Sequence, residues 1–192
     1  SPNPDRDSSV DGDVVFHEFG HGISNRLIGN ASGALSGIQS GAMGEGWSDY
    51  WAITINGDGA VGEYVTNNVN GIRRAAYSVP AATLHDSYAD VCFRGCQVHK
   101  DGEIWAATLW DLRTQLGAAT TDLLVLNGMK FTPTRPSFLD ARDGILQADQ
   151  NLNGGANFCA IWIVFARHGM GVSASGNDGH QHNAATNVPP GC

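Results

Sequence analysis

The 192-residue sequence predicts a mainly α-helical domain with long irregular loops. Two observations carry that prediction. Apolar residues recur at three-and-four spacing in several stretches, as one face of a helix requires. The segments between them are rich in Gly, Asn and Ser, with almost no alternating pattern of the kind a β-hairpin needs and no internal repeat. Hydrophobic residues make up 42% of the chain, enough for one sizeable core, so residues 1–192 read as a single domain.

The first dozen residues, rich in Pro, Asp, Ser and Gly, form an exposed opening segment that ends at a helix N-cap, Asp11 or Asp13. A first helix follows over about 14–28 and stops at Gly29-Asn30. After the Gly/Ser-rich loop "GNASGALSGIQSG", a second helix starts near Ala42 and runs to Asn56-Gly57. Both are apolar nearly all round, which predicts burial. Residues 57–95 have weak periodicity and predict one short helix near 60–68 among loops. "QVHKDGEIWAATLWDLRTQLG" predicts a long helix over about 97–117, with Ile104, Trp105, Leu109 and Leu112 on its apolar face. Two more helices are predicted, over about 137–152 and 157–169. The Gly/Asn-rich ending reads as irregular. Trp47, Trp51, Trp105, Trp110 and Trp162 fall at core spacing.

Composition narrows the partners. With 11 Lys+Arg against 19 Asp+Glu, the formal charge is −8, and no basic stripe alternates with aromatics. Nucleic acid and anionic membrane surfaces are therefore disfavoured. No stretch approaches the roughly 20 apolar residues of a membrane span, and the first residues lack a signal peptide's pattern. Cys92, Cys96, Cys159 and Cys192 are even in number and contain no CxxC pair, which suits disulfides. Of three possible pairings, Cys159 with Cys192 would tether the tail and leave Cys92 with Cys96 to close a small loop. Disulfides imply an oxidising, extracellular setting. "NAS" at residues 30–32 is a glycosylation acceptor in a eukaryotic source.

The stretch "VVFHEFGHGISNRL" concentrates the chemistry. A helix turns about 100° per residue, so His17 and His21 present two imidazoles to one point. Glu18 lies one residue round, suited to a water and not to the coordination position itself. Zinc prefers four tetrahedral ligands, and a hydrolytic site keeps one for water, so a third protein ligand must come from elsewhere. One known extension of the motif would place a Gly and a third His at positions occupied here by Ser24 and Leu27, and neither fits. The other takes a glutamate from a second helix with an aspartate one turn later. "GAMGEGWSDYWA" supplies Glu45 as that ligand and Asp49 as the acceptor for the free N–H of His17. Without a cation, such a cluster of buried carboxylates would carry a penalty of several kcal/mol per uncompensated charge.

Five stretches, in order, resemble the fungalysin metallopeptidases, relatives of thermolysin: "PDRDSSVDGDVVFHEFGHGISNRL", "SGAMGEGWSDYWA", "VHKDGEIWAATLWDL", "ARDGILQADQNLNG" and "FARHGMGVSAS…VPPGC". The resemblance runs from about residue 3 to the C-terminus. It implies a zincin-like helical domain, one Zn²⁺ held by His17, His21 and Glu45, and a secreted endopeptidase acting on protein or peptide substrates with Glu18 as general base. It also implies that His99 stabilises the oxyanion and that Arg73 binds a substrate carbonyl, with Arg74 a close competitor. Family catalytic domains carry an N-terminal β-rich half that this stretch lacks, so a separate half, a propeptide or self-association through the open face is an expected partner. Two departures stand out. Gly20 replaces the Thr common in the motif, and Arg94 with the cysteine pair stands where relatives carry an acid orienting His99, a role left to Glu103 or Asp101.

Alternatives to the peptidase are a zinc-stabilised binding or assembly module and a peptidase limited to short peptides. His180 and His182 suggest a second metal, but a Gly/Asn-rich tail more often solvates such residues. The Asp-rich opening could hold Ca²⁺, yet it lacks an EF-hand's glycine and final glutamate and reads as a capped turn.

Overall fold

A computed structural model describes residues 4–29, 34–79, 87–93 and 95–192. Arg94 and the "NAS" tripeptide lie outside the described residues. The fold is mainly helical. A 3₁₀ turn at Ser8–Val10 leads into α1 (Gly12–Leu27), followed by α2 (Ile38–Asn56) and the short α3 (Glu63–Thr66). A second 3₁₀ turn, Tyr88–Asp90, precedes α4 (Val98–Leu116), α5 (Ala118–Phe131), α6 (Phe138–Asn153) and α7 (Phe158–Arg167). Two short strands, β1 (Ser175–Gly176) and β2 (His182–Asn183), pair antiparallel in the tail. Among the described residues, no helix is long and apolar enough to cross a membrane.

Helix α2 is the centre, packed most extensively against α4 on one side and α1 on the other. Fourteen of its 19 residues are buried, so its weak amphipathicity suits its position. The core runs from Met43, Trp47 and Tyr50 through Ile104, Trp105 and Leu109 to Phe138 and Phe165. Trp47 meets Trp105 edge-on at 5.5 Å between centroids, an arrangement favoured by the ring quadrupoles. The α1 start is fixed by Asp11, whose side chain accepts from the Asp13 N–H. Gly57, at φ +78°, ends α2 in a left-handed conformation that costs glycine little.

Four sequence expectations are corrected. Helix α5 was not anticipated, because "AATTDLLVLNGMKF" mixes β-branched residues with Gly128 and has no side-chain cap. Packing overrides that weak propensity: Gly128 lets α5 approach α6 until a Cβ there would sit 2.8 Å from Ile145 Cγ1. Helix α2 begins at Ile38 and not near Ala42, because Asp178 in the tail caps it from 138 residues away. Its carbonyl accepts from the N–H groups of Ile38 and Gln39, and its Oδ1 accepts from Ser40 N–H at 2.7 Å. The ending is not irregular throughout, since β1 and β2 form a small hairpin. Helix α1 is not buried all round: Val15 and Phe19 are exposed, and Phe19 keeps 66% of its accessible surface.

Both disulfides form, Cys92 with Cys96 and Cys159 with Cys192. The second joins the start of α7 to the last residue of the chain.

Candidate metal centre

Helices α1 and α2 come close enough to merge their polar faces because Gly20 has no side chain. A Cβ there would lie 2.7 Å from the Ser48 Cα. That approach brings one ligand atom from each of His17, His21 and Glu45 within 4.8 Å of the others. His17 Nε2 is 3.3 Å from Glu45 Oε2, and His21 Nε2 is 3.7 Å from Glu45 Oε1. The two imidazoles stand edge to face with centroids 4.8 Å apart.

Glu45 Oε2 is buried and makes no aligned hydrogen bond among the described residues. Around it lie His17 Nε2 and His99 Nε2, each at 3.3 Å, and Arg73 Nη2 at 3.7 Å. A buried carboxylate oxygen without an aligned hydrogen bond is costly, and a cation at this point would complete it. The donor set of two imidazoles and a carboxylate suits Zn²⁺ and leaves room for a fourth ligand. Burial pushes the His17 ring toward the neutral form, but Asp49 and then Glu45 overcome it and raise its pKa to about 9. In the absence of metal this nitrogen therefore holds a proton that a cation would replace. Burial, followed by the charge of His17, lowers the pKa of His21. Desolvation opposes the charge on Glu45, yet the His17 contact and the surrounding histidines hold its pKa below the usual value.

Asp49 organises this cluster from beneath, with 1% of its surface exposed. His17 Nδ1 donates to its Oδ1 at 2.7 Å, which fixes the ring with Nε2 toward Glu45. Arg73 donates to both oxygens, Nη2 to Oδ1 at 2.7 Å and Nε to Oδ2 at 2.6 Å. Tyr77 Oη donates to Oδ2 at 2.5 Å. Desolvation would raise the Asp49 pKa, but the His17 and Arg73 hydrogen bonds reverse that and hold it well below the carboxylate range. The same cluster pushes the Tyr77 hydroxyl up, by burial first and then by the Asp49 charge.

The structure thus places Arg73 as the clamp of Asp49, held by two hydrogen bonds to its carboxylate. Arg74 points elsewhere, pairing through Nε with Glu103 Oε2 at 2.8 Å. Neither acid expected beside His99 holds that ring. Glu103 is taken by Arg74, and Asp101 accepts from the Gln97 N–H at 3.2 Å. The His99 Nδ1 partner is Gln97, at 3.1 Å. Glu18 is exposed on the solvent side of α1, close enough for its charge to act on His21. Sequence reasoning missed Tyr77 and Gln97. No spacing rule reaches Tyr77 from Asp49, whereas Gln97 directly precedes α4 and was open to recognition as its N-cap.

Cys92, Cys96 and His180 cluster, with His180 Nδ1 3.4 Å from Cys96 Sγ. The sulfurs are bonded to each other and offer no thiolate. In the Asp-rich opening, Asp7 caps the first 3₁₀ turn, Asp11 accepts from Asp13 N–H and Val65 N–H, and Asp13 accepts from Asn56 and Gly62 N–H. These carboxylates fasten α1 to the segment around α3.

Two helices thus bring a His-His-Glu cluster, backed by an aspartate, to one point, with a donor set that suits a metal ion. Comparison with known proteins agrees: the model of the fungalysin metallopeptidases (M36) matches residues 1–174. The chain belongs to the fungalysin family. It is 36% identical to extracellular metalloproteinase 4 of Arthroderma gypseum, with 98% of this chain and 34% of that protein covered. For extracellular metalloproteinase 4 of Trichophyton rubrum the identity is 37% with the same coverage. For extracellular metalloproteinase MEP of Pyricularia oryzae it is 38%, over 89% of this chain and 32% of the relative. The chain spans about a third of the length of these relatives.

Proposed function

We propose that this chain is the zinc-bearing helical part of a secreted metalloendopeptidase, with His17, His21 and Glu45 holding one Zn²⁺. The observation that carries the reading is the approach of one ligand atom from each of these three residues to within 4.8 Å of the others, at the buried Oε2 of Glu45. Bound there, zinc would supply Lewis acidity, lowering the pKa of a water and polarising the scissile carbonyl. Glu18 then takes the proton from the attacking water and passes it to the leaving amine, the exchange general-base catalysis requires. His99, 3.3 Å from Glu45 through Nε2, donates to the carbonyl oxygen as it gains charge. Asp49 holds His17 in the ligating orientation, and Arg73 serves first to hold Asp49. Extracellular placement follows the names of the relatives and agrees with two disulfides.

Proteolysis by the full-length protein beside a Glu18→Gln variant, with zinc measured in both, tests this. Equal zinc with hydrolysis reduced by several orders of magnitude is expected, and equal hydrolysis would remove Glu18 as base. The exposed Val15 and Phe19 on α1 favour a second reading, in which a further half or another copy covers this face. In that case the described chain alone binds zinc as a module or cleaves only short peptides. Comparing casein with small peptides as substrates separates the readings.

A further inference from the structure

We propose that Cys92, Cys96 and His180 form a second metal site, closed while the Cys92–Cys96 bridge is oxidised and opened by a small thiol that reduces it. The two thiolates and His180 Nδ1 then hold a zinc-class ion, with a fourth position for water. The three residues offer ligand atoms within 4.8 Å of one another, and His180 Nδ1 is 3.4 Å from Cys96 Sγ. With Zn–S of about 2.3 Å and Zn–N of about 2.0–2.1 Å, a sulfur and an imidazole nitrogen on tetrahedral zinc sit about 3.6 Å apart. The histidine therefore stands where a ligand belongs. Only the sulfurs have to separate, to about 3.8 Å by the same geometry. Thiolate ligands distinguish this site from the His17–His21–Glu45 cluster, which contains no sulfur.

The surroundings of the bridge give a reductant access. Cys96 is exposed and lines a cavity of about 320 Å³ between the starts of α2 and α4, together with Gln97, Val98, Arg135 and Asp178. A small thiolate entering there attacks Cys96 Sγ, forms a mixed disulfide and releases Cys92 as a thiolate. A second thiol resolves the mixed disulfide, so two small thiols become one disulfide and the protein gains two electrons and two protons. Metal binding then displaces both protons. The sequence separation across this bridge is only 4, against 33 for Cys159–Cys192, so it constrains the unfolded chain less and its opening leaves the longer tether in place. Cys92 packs against the core, whereas His180 lies in the tail between β1 and β2. A bound ion therefore ties the tail to the residues before α4, a connection the disulfide alone does not make.

Co²⁺ is the probe, because thiolate ligands give it an intense near-ultraviolet charge-transfer band that imidazole and carboxylate ligands do not. The full-length protein is titrated with Co²⁺ before and after treatment with a water-soluble phosphine. The phosphine becomes its oxide, taking oxygen from water, and yields the same two thiols without adding a competing one. The oxidised protein should bind Co²⁺ without the band, and reduction should add one equivalent of Co²⁺ together with the band. Cys96→Ser should abolish that band. His180→Ala should weaken the added site by about 10- to 100-fold or more, since losing even a partner behind a ligand costs that much. Near-ultraviolet circular dichroism of each metal-free form reports whether the fold is kept. His180 is exposed and its replacement leaves both cysteines in place, so this variant decides the matter if Cys96→Ser folds poorly. No band after reduction, a band that survives Cys96→Ser, equal affinity in His180→Ala, or unfolding on reduction overturns the proposal. None of these outcomes bears on the His17–His21–Glu45 cluster, whose Co²⁺ gives no sulfur band.

Discussion

Asp49 shows how much one buried side chain can determine. A carboxylate has about four lone-pair positions, and here they are filled by one His17 N–H, two Arg73 N–H groups and the Tyr77 hydroxyl. Two of those neighbours are cationic when protonated, which offsets the desolvation of a group with 1% exposure. Asp49→Asn would keep the shape but replace one acceptor oxygen with a donor. It should weaken zinc binding about 10- to 100-fold, the usual effect of losing a partner behind a ligating histidine, as measured by competition with a chelator. Unchanged affinity would mean that His17 needs no such support. His17, Glu18, His21, Glu45 and Asp49 could all be picked out from sequence, because helical periodicity pairs His17 with His21 and Glu45 with Asp49, and Glu18 adjoins the first histidine. Tyr77 could not be found that way, because its approach to Asp49 is decided by a loop whose path has no periodic signal.

At the scale of elements, the spacing between helices matters more than their amphipathicity. Gly46 faces α4 so closely that a Cβ would lie 2.6 Å from Gly102 O, and a Cβ on Gly102 would lie 2.6 Å from Ala42 O. Together with Gly20 on α1, these residues let three helices pack nearly backbone to backbone around Glu45 and the start of α4. Gly46→Ala should force α2 and α4 apart and destabilise the fold by about 1–3 kcal/mol, as overpacking of a filled core does. It should also weaken zinc binding, since Glu45 is the adjacent residue. Urea denaturation with and without zinc measures both effects, and a variant as stable as the parent would show that this contact relaxes freely. The replacement of Thr by Gly20, read from sequence as a departure, is one of the contacts that close the site. Helix α5 was hard to read for another reason: Thr120, Thr121, Val125 and Gly128 interrupt its good helix formers, and burial of Leu124, Val125 and Met129 secures the helix.

Across the whole molecule, the tail secures the centre from a distance. Asp178 caps α2 seven residues before Glu45 and is contacted by Arg135 Nε at 3.4 Å, while Gln39 Nε2 donates to Asn177 O at 2.6 Å. The Cys159–Cys192 bridge then closes a stretch with a sequence separation of 33. On the chain-entropy account, a loop of that length stabilises the fold by about 3–4 kcal/mol. Cys192→Ser should lower stability by up to that amount and speed amide exchange at the α2 N-terminus before it does so in the buried middle of α2. Uniform exchange along the helix would show that the tail cap does not depend on the bridge. The chain spans about a third of the relatives' length, and on the α1 face Val15 and Phe19 are exposed.

The helical class and the two motifs whose polar side chains lie one helical turn apart were legible in the sequence, because these depend on short-range geometry common to every helix, and the even cysteine count pointed to the disulfide-bearing tail. That Gln97 meets His99, that Arg73 and Tyr77 share Asp49, and that a tail aspartate starts α2 emerged from the folded chain. Those pairings join residues whose meeting is set by how closely helices and loops pack, and local sequence pattern carries no information about that distance.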